Sequence, residues 1–192
     1  MREGSATRGR RRRAAEPPDG PDRRPEPEAD PEAVARSICL SQLEFAPRTR
    51  AELAAVLAKR GVPDDAAEAV LGRFAEVGLI DDALFARMWV DSRHRGRGLA
   101  RAALRSELRR KGVDDEDVAA AVEGLDPATE LETAWALVRR KLPATRGQPT
   151  PARVRRLAGM LARKGYPAGV AFRVVREALA EDGDDGEVPE LE

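Results

Sequence analysis

Apolar residues recur through the middle of the chain at three- and four-residue spacing, and the same pattern appears three times. Leu53 and Leu57 precede Lys59-Arg60-Gly61-Val62. Leu104 and Leu108 precede Arg110-Lys111-Gly112-Val113, and Leu157 and Leu161 precede Arg163-Lys164-Gly165-Tyr166. The three glycines lie 51 and 53 residues apart. The register continues past each glycine, with Ala67, Val118 and Ala171 six residues on, Val70, Ala121 and Val174 nine on, and Leu71, Val122 and Val175 ten on. Leu at i and i+4 shares one helix face. Basic residues in a last turn meet the negative end of the helix dipole. A glycine there takes the left-handed conformation that ends the helix, and the apolar residue after it packs back on the last turn. Pro63-Asp64-Asp65, Asp114-Asp115 and Pro167 then open a second helix, as cap and first-turn residues do. Each copy reads as a helix–turn–helix pair.

A third helix precedes each pair. The spacing predicts one from about Glu32 to Phe45 with Val34, Ile38 and either Leu40 or Leu43 inward. A second runs from Asp82 to about His94 with Phe85, Trp89 and Val90, and a third from about Ala128 to Leu142 with Leu131, Trp135 and Val138. Pro47, Gly96 with Gly98, and Pro143 to Pro151 act as breakers between helices. No β-branched alternating run of strand length occurs. The expected fold is all-α: three tandem three-helix repeats at 32–80, 81–126 and 127–180. A unit of about 50 residues buries little surface alone, so neighbours stack into an elongated, curved array.

Two tails flank this region. The segment 1–31 holds eight Arg, seven acids and six Pro. It reads as disordered, because it cannot bury enough apolar area to offset ordering entropy. At the other end, Glu177 to Glu192 holds eight acids and no base. From 181 on it reads as a disordered acidic tail that competes with nucleic acid for the chain's own basic surface.

Across 192 residues, Lys+Arg and Asp+Glu both number 34, and aromatics are only 4%. The charge is nevertheless segregated. From Arg87 to Lys111 nine basic residues face two acids, and from Arg139 to Lys164 nine occur with no acid. Arg97, Arg101 and Arg105 step by four and would share one helical stripe, which Arg109 extends. Such one-sidedness favours an anionic partner, met through phosphate-led or acidic-surface contact, since few aromatics are free to stack on bases.

Catalytic candidates are few. One Cys and one His exclude a disulfide scaffold and a four-ligand Cys/His zinc site. Asp64-Asp65, Asp81-Asp82 and Asp114-Asp115 invite a metal-dependent nuclease reading, but each precedes or opens a helix, where carboxylates cap amides. Gly96-Arg97-Gly98 lacks the third glycine and the preceding strand of a dinucleotide loop. His94, between two arginines, reads as solvated or phosphate-facing. Cys39 reads as a small buried hydrophobe, and Trp89 and Trp135 as core. No catalytic residue, cofactor or metal is expected, and no apolar run approaches the ~20 residues of a membrane helix.

Several segments together resemble the RecX family of recombination regulators: Ala46-Pro-Arg-Thr-Arg-Ala-Glu-Leu53, Leu57-Ala-Lys-Arg-Gly61, Val77-Gly-Leu-Ile-Asp-Asp-Ala-Leu-Phe-Ala86, Ser92-Arg93 and Leu104-Arg-Ser-Glu-Leu-Arg-Arg-Lys-Gly-Val113. The likeness spans about residues 32 to 180. It departs at Glu44-Phe45, where a more basic stretch is expected. The resemblance implies a non-enzymatic, cytoplasmic protein of three-helix repeats that lies in the groove of the RecA filament. There it would restrain ATPase and strand exchange in homologous recombination, DNA repair and the SOS response, with weak nonspecific DNA contact. A monomer without membrane contact is expected. Charge clustering nominates Arg93, Arg95, Arg97, Arg101, Arg105, Arg109 and Lys111 for the RecA- or DNA-binding surface. The alternative is a stand-alone helical DNA-binding protein, with a helix–turn–helix in the duplex groove; a nuclease ranks third.

Overall fold

Most helices begin where the sequence supplies a cap or a proline, and the repeated turns end on a glycine. The computed structural model describes residues 30–183. Among them lie nine α-helices and no strand. The helices are α1 (Pro31–Phe45), α2 (Arg50–Lys59), α3 (Asp64–Glu76), α4 (Asp82–Arg97), α5 (Arg101–Arg110), α6 (Asp115–Glu123), α7 (Pro127–Lys141), α8 (Thr150–Arg163) and α9 (Ala168–Glu181). A 3-10 turn, Leu142–Thr145, links α7 to α8. The readings of the terminal tails at 1–29 and 184–192 lie outside the described residues.

The helix starts follow local chemistry. Thr49 and Glu52 form a reciprocal capping box: Thr49 Oγ1 accepts from Glu52 N–H at 3.1 Å and Glu52 Oε2 accepts from Thr49 N–H at 3.3 Å. Asp81 accepts from Leu84 N–H at 2.7 Å and Asp114 from Asp117 N–H at 2.8 Å. Asp64 and Asp65 occupy the first turn of α3. The acidic pairs are therefore helix starts. The three repeated turns share one hydrogen-bond pattern. Val62, Val113 and Tyr166 donate to the carbonyls of Leu57, Leu108 and Leu161 at 3.2, 3.3 and 3.2 Å. The preceding Gly61, Gly112 and Gly165 stand at φ of 75°, 76° and 89°, which closes the helix in the left-handed manner.

Packing gives one apolar cluster per unit. The first gathers Leu53, Leu57, Leu71 and Phe74 with Ala35, Ile38 and Cys39, and the second gathers Phe85, Leu104, Leu108 and Val122. The third gathers Val138, Leu157, Leu161 and Leu179, and also takes in Ala100 from the second unit. All nine register-matched residues beyond the glycines are buried. Each repeated leucine removed from water contributes on the order of 1.5–3 kcal/mol.

Two expectations fail in α1 and α4. Val34 is exposed, whereas Ala35 and Cys39 are fully buried; of the two leucines offered as alternatives, Leu43 packs at the edge of the core and Leu40 is exposed. The buried face of α1 is made of Ala35, Ile38 and Cys39, against which α2 and α3 pack. Gly96 is no breaker: α4 runs through it to Arg97, and Gly98 at φ 61° is the cap.

The units interlock through the glycine turns. Gly112 presses on Ala51 at the start of α2, and a Cβ at Gly165 would stand 2.5 Å from the backbone nitrogen of Ala103 on α5. The carbonyl before each of these glycines is also engaged. Thr49 Oγ1 donates to Lys111 O at 2.6 Å, and Ala100 N–H donates to Lys164 O at 2.8 Å. Nothing stands within 4 Å of a Cβ added at Gly61.

This difference is measurable by urea unfolding. Gly61→Ala should cost only the left-handed backbone penalty, about 1–2 kcal/mol. Gly112→Ala and Gly165→Ala should cost a further ~1–3 kcal/mol from overpacking. Equal losses at all three positions would contradict the interlocking.

Candidate protein and nucleic-acid interface

The two basic runs contain three kinds of cation, separated by what each side chain touches. Lys111, Arg93 and Arg101 are engaged inside the protein. Lys111 Nζ lies 2.7 Å from Glu52 Oε1 in the first unit, 4.3 Å from the Trp89 ring centre and 5.3 Å from that of Phe85. Arg93 lies 4.0 Å over the same Trp89 and 3.4 Å from Glu107, which also accepts from Trp89 Nε1–H at 2.9 Å. Phe85 stacks on Trp89 with centroids 5.6 Å apart. One half-buried indole thus carries two cations, whose charges Glu52 and Glu107 balance. Arg101 donates its backbone N–H to Glu130 Oε1 at 2.8 Å, and its guanidinium reaches Leu125 O. It ties α5 to the start of α7.

His94 is also internal. It is buried, with Nδ1 2.9 Å from Leu99 O and Nε2 3.0 Å from Thr133 Oγ1. A carbonyl only accepts, so Nδ1 carries a proton and the ring bridges α4 to α7. The expectation of a solvated or phosphate-facing histidine is therefore wrong. Charged neighbours in sequence did not reveal that α4 turns this position toward the third unit.

A second group forms exposed ion pairs. Arg95 pairs with Asp91 one turn back on α4, and Arg109 with Asp115 at 2.7 Å. Exposed pairs of this kind are weak and free to exchange partners. Arg97 and Arg105 form the third group, with no acidic partner among the described residues. The four-residue stripe from Arg97 does not exist as drawn, because Gly98 separates α4 from α5 and places Arg97 on a different helix. Arg101, Arg105 and Arg109 do share α5, though Arg101 is occupied.

Structure brings the two runs together at the junction of units two and three. Lys164 Nζ donates to Arg97 O. Burial, with Arg140 and Arg97 adding repulsion, holds the Lys164 ammonium below its ordinary pKa. Ser106, Arg110, Arg163, Ala103 and Gly165 line a groove of about 400 Å³ between α5 and α8, and Arg105 and Arg109 line its neighbour on α5. At the far end of α8, Arg153 is buried and bonds Asp182 at 2.6 Å, and Arg146 bonds the same carboxylate at 2.6 Å. These two guanidiniums hold Asp182 down to about 2. The Thr49-x-x-Glu52 box carries a local signature, a threonine followed three residues on by a glutamate. The Arg153–Asp182 contact, 29 residues apart, had no local signal.

Among the described residues no group of three His, Cys, Asp or Glu is placed to hold a metal ion. No helix is long and apolar enough to cross a membrane. Cys39 is buried, and desolvation pushes its thiol pKa up.

The geometry is that of a tandem three-helix-repeat protein with a cationic solvent face on its second and third units. Family models for the first, second and third three-helix domains of RecX match residues 35–74, 81–122 and 128–175. The regulatory protein RecX of Thermobifida fusca is 58% identical over 183 residues, covering 94% of this chain and 97% of its own. That of Streptomyces coelicolor is 59% identical over 162 residues, covering 84% and 86%. A crystal structure of regulatory protein RecX superposes with a TM-score of 0.70 at 26% identity, covering 78% of this chain and 73% of that one. RecX from Lactobacillus salivarius shares the fold alone, with a TM-score of 0.71 at 18% identity over 78% and 97%. The chain belongs to the RecX family.

Two measurements check these assignments. Arg101→Ala and Lys111→Ala should each lower stability to urea by about 1–3 kcal/mol, since each leaves a partly buried partner unsatisfied. Arg97→Ala and Arg105→Ala should stay within about 0.5 kcal/mol. For Asp182, the folded carboxyl titrates below the ordinary 3.8. Its stabilisation is therefore present above that value and lost as pH falls toward 2. The difference in stability between the native chain and Asp182→Asn should close over that window; a constant difference would contradict the pairing.

Proposed function

We propose that this chain binds the RecA recombinase filament and restrains its ATPase and strand exchange, acting in the cytoplasm in recombination and DNA repair. The near full-length match to regulatory RecX proteins carries this reading. The cations of α4 and α5 that the fold leaves to solvent support it, since a long cationic face suits a repetitive anionic surface. Arg97 and Arg105 supply attraction directly. Arg95 and Arg109 exchange their exposed carboxylates for the partner's, while Arg93, Arg101 and Lys111 shape the surface from beneath. DNA contact is secondary and led by phosphates.

The test follows the DNA-dependent ATPase of RecA as this protein is titrated in. The wild-type chain should suppress it, less effectively as salt rises. The triple change Arg97→Glu, Arg105→Glu and Arg109→Glu should raise the half-inhibiting concentration at least ~10-fold, about 1.4 kcal/mol, with the helical circular dichroism unchanged. Undiminished inhibition would remove the surface assignment. Tight, sequence-selective binding to bare duplex DNA with no effect on RecA would favour the stand-alone DNA-binding reading instead.

A further inference from the structure

The solvent face of α8 is cationic along its length. Arg155, Arg156 and Arg163 are exposed, α8 contains no acid, and none of the three has an acidic partner among the described residues. Arg163 lies back along the helix, its Nη1 3.4 Å from where a Cβ at Gly159 would stand. This face continues through Arg163 into the groove with Arg110 and Ser106. Unlike α2 and α5, whose first turns are covered by the next unit's glycine turn, α8 begins beside the end of α9. Asp182 fixes that end, bonded to Arg153 in the first turns of α8 and to Arg146 before it. The described chain therefore ends beside the N-terminal end of α8. The nine residues beyond it, 184–192, hold five acids (Asp184, Asp185, Glu187, Glu190 and Glu192) and no base. Nine extended residues reach ~30 Å, whereas the fourteen residues of α8 span ~21 Å.

We propose that the acidic segment 184–192 docks along α8 over Arg155, Arg156 and Arg163, masking this face from polyanions. Charge and reach both match, and the doubly bonded Asp182 sets where the segment starts. Tethering raises its effective concentration at the face to about the millimolar range, so even weak contacts compete with a free polyanion at low salt. A polyanion must displace the segment before it uses α8, whereas the α5 cations stay open.

The test compares the full chain with one ending at Gly183, which keeps the Asp182 anchor. The probe is a fluorescent single-stranded thymidine 30-mer, read by anisotropy at ~50 mM salt. The shortened chain should bind at least ~5-fold tighter, with the gap narrowing as salt rises. In an R155Q/R156Q/R163Q background, shortening should bring no gain. Amide resonances of 155–163 should shift on shortening in the native background. Equal affinity of the two chains overturns the proposal. So does a gain that persists in the substituted background, which would mean general repulsion or docking elsewhere. No RecA is present, so the result is independent of the proposed filament binding.

Discussion

Close approach of Ala51 and Ala103 to the backbone at Gly112 and Gly165 is the constraint on which the rest of the structure depends. Each glycine ends a helix in a conformation other residues adopt only under strain, and each also lies against the preceding unit where a side chain would collide. The carbonyl one residue earlier then receives a hydrogen bond from the start of that unit's second helix. One local device thus stops a helix, turns the chain and docks the repeat. Ala51 and Ala103 are the small partners this geometry requires.

The two junctions built on this device differ in character. Between units one and two the additional contacts are polar, with Lys111 on Glu52 and the Arg50 amide donating to Asp82 at 3.0 Å. Between units two and three polar contacts recur, His94 with Thr133, Arg101 with Glu130 and the Tyr166 hydroxyl donating to Gly98 O at 3.2 Å, and apolar contact is added, with Ala100 entering the third core and Leu137 close to Gly98. Burial drives the Tyr166 phenol well above its ordinary pKa.

The cations divide by the same logic. A guanidinium over Trp89 or against Glu130 positions backbone and ring, and little of its charge is offered outward. The exposed arginines of α5 and α8 have no such duties. A surface of this kind recognises a polymer through summed, screened attraction more than through any one contact. That is the kind of attraction the proposed filament binding calls for.

Residue order alone determined the repeat, its helices and most of its core, because helix periodicity, capping carboxylates and glycine stops act over a few residues and leave a readable trace. Burial of the nine register-matched residues and the capping role of Asp81 and Asp114 needed nothing more distant. Only tertiary structure decided which cations remain free. The destination of Lys111, Arg101 or His94 depends on groups 59, 29 and 39 residues away. The three further residues of α4 end at Gly98, where a side chain would collide with Leu137 of the third unit. Charge is visible in a sequence, but its neutralisation is a property of distance in space, which sequence spacing does not encode.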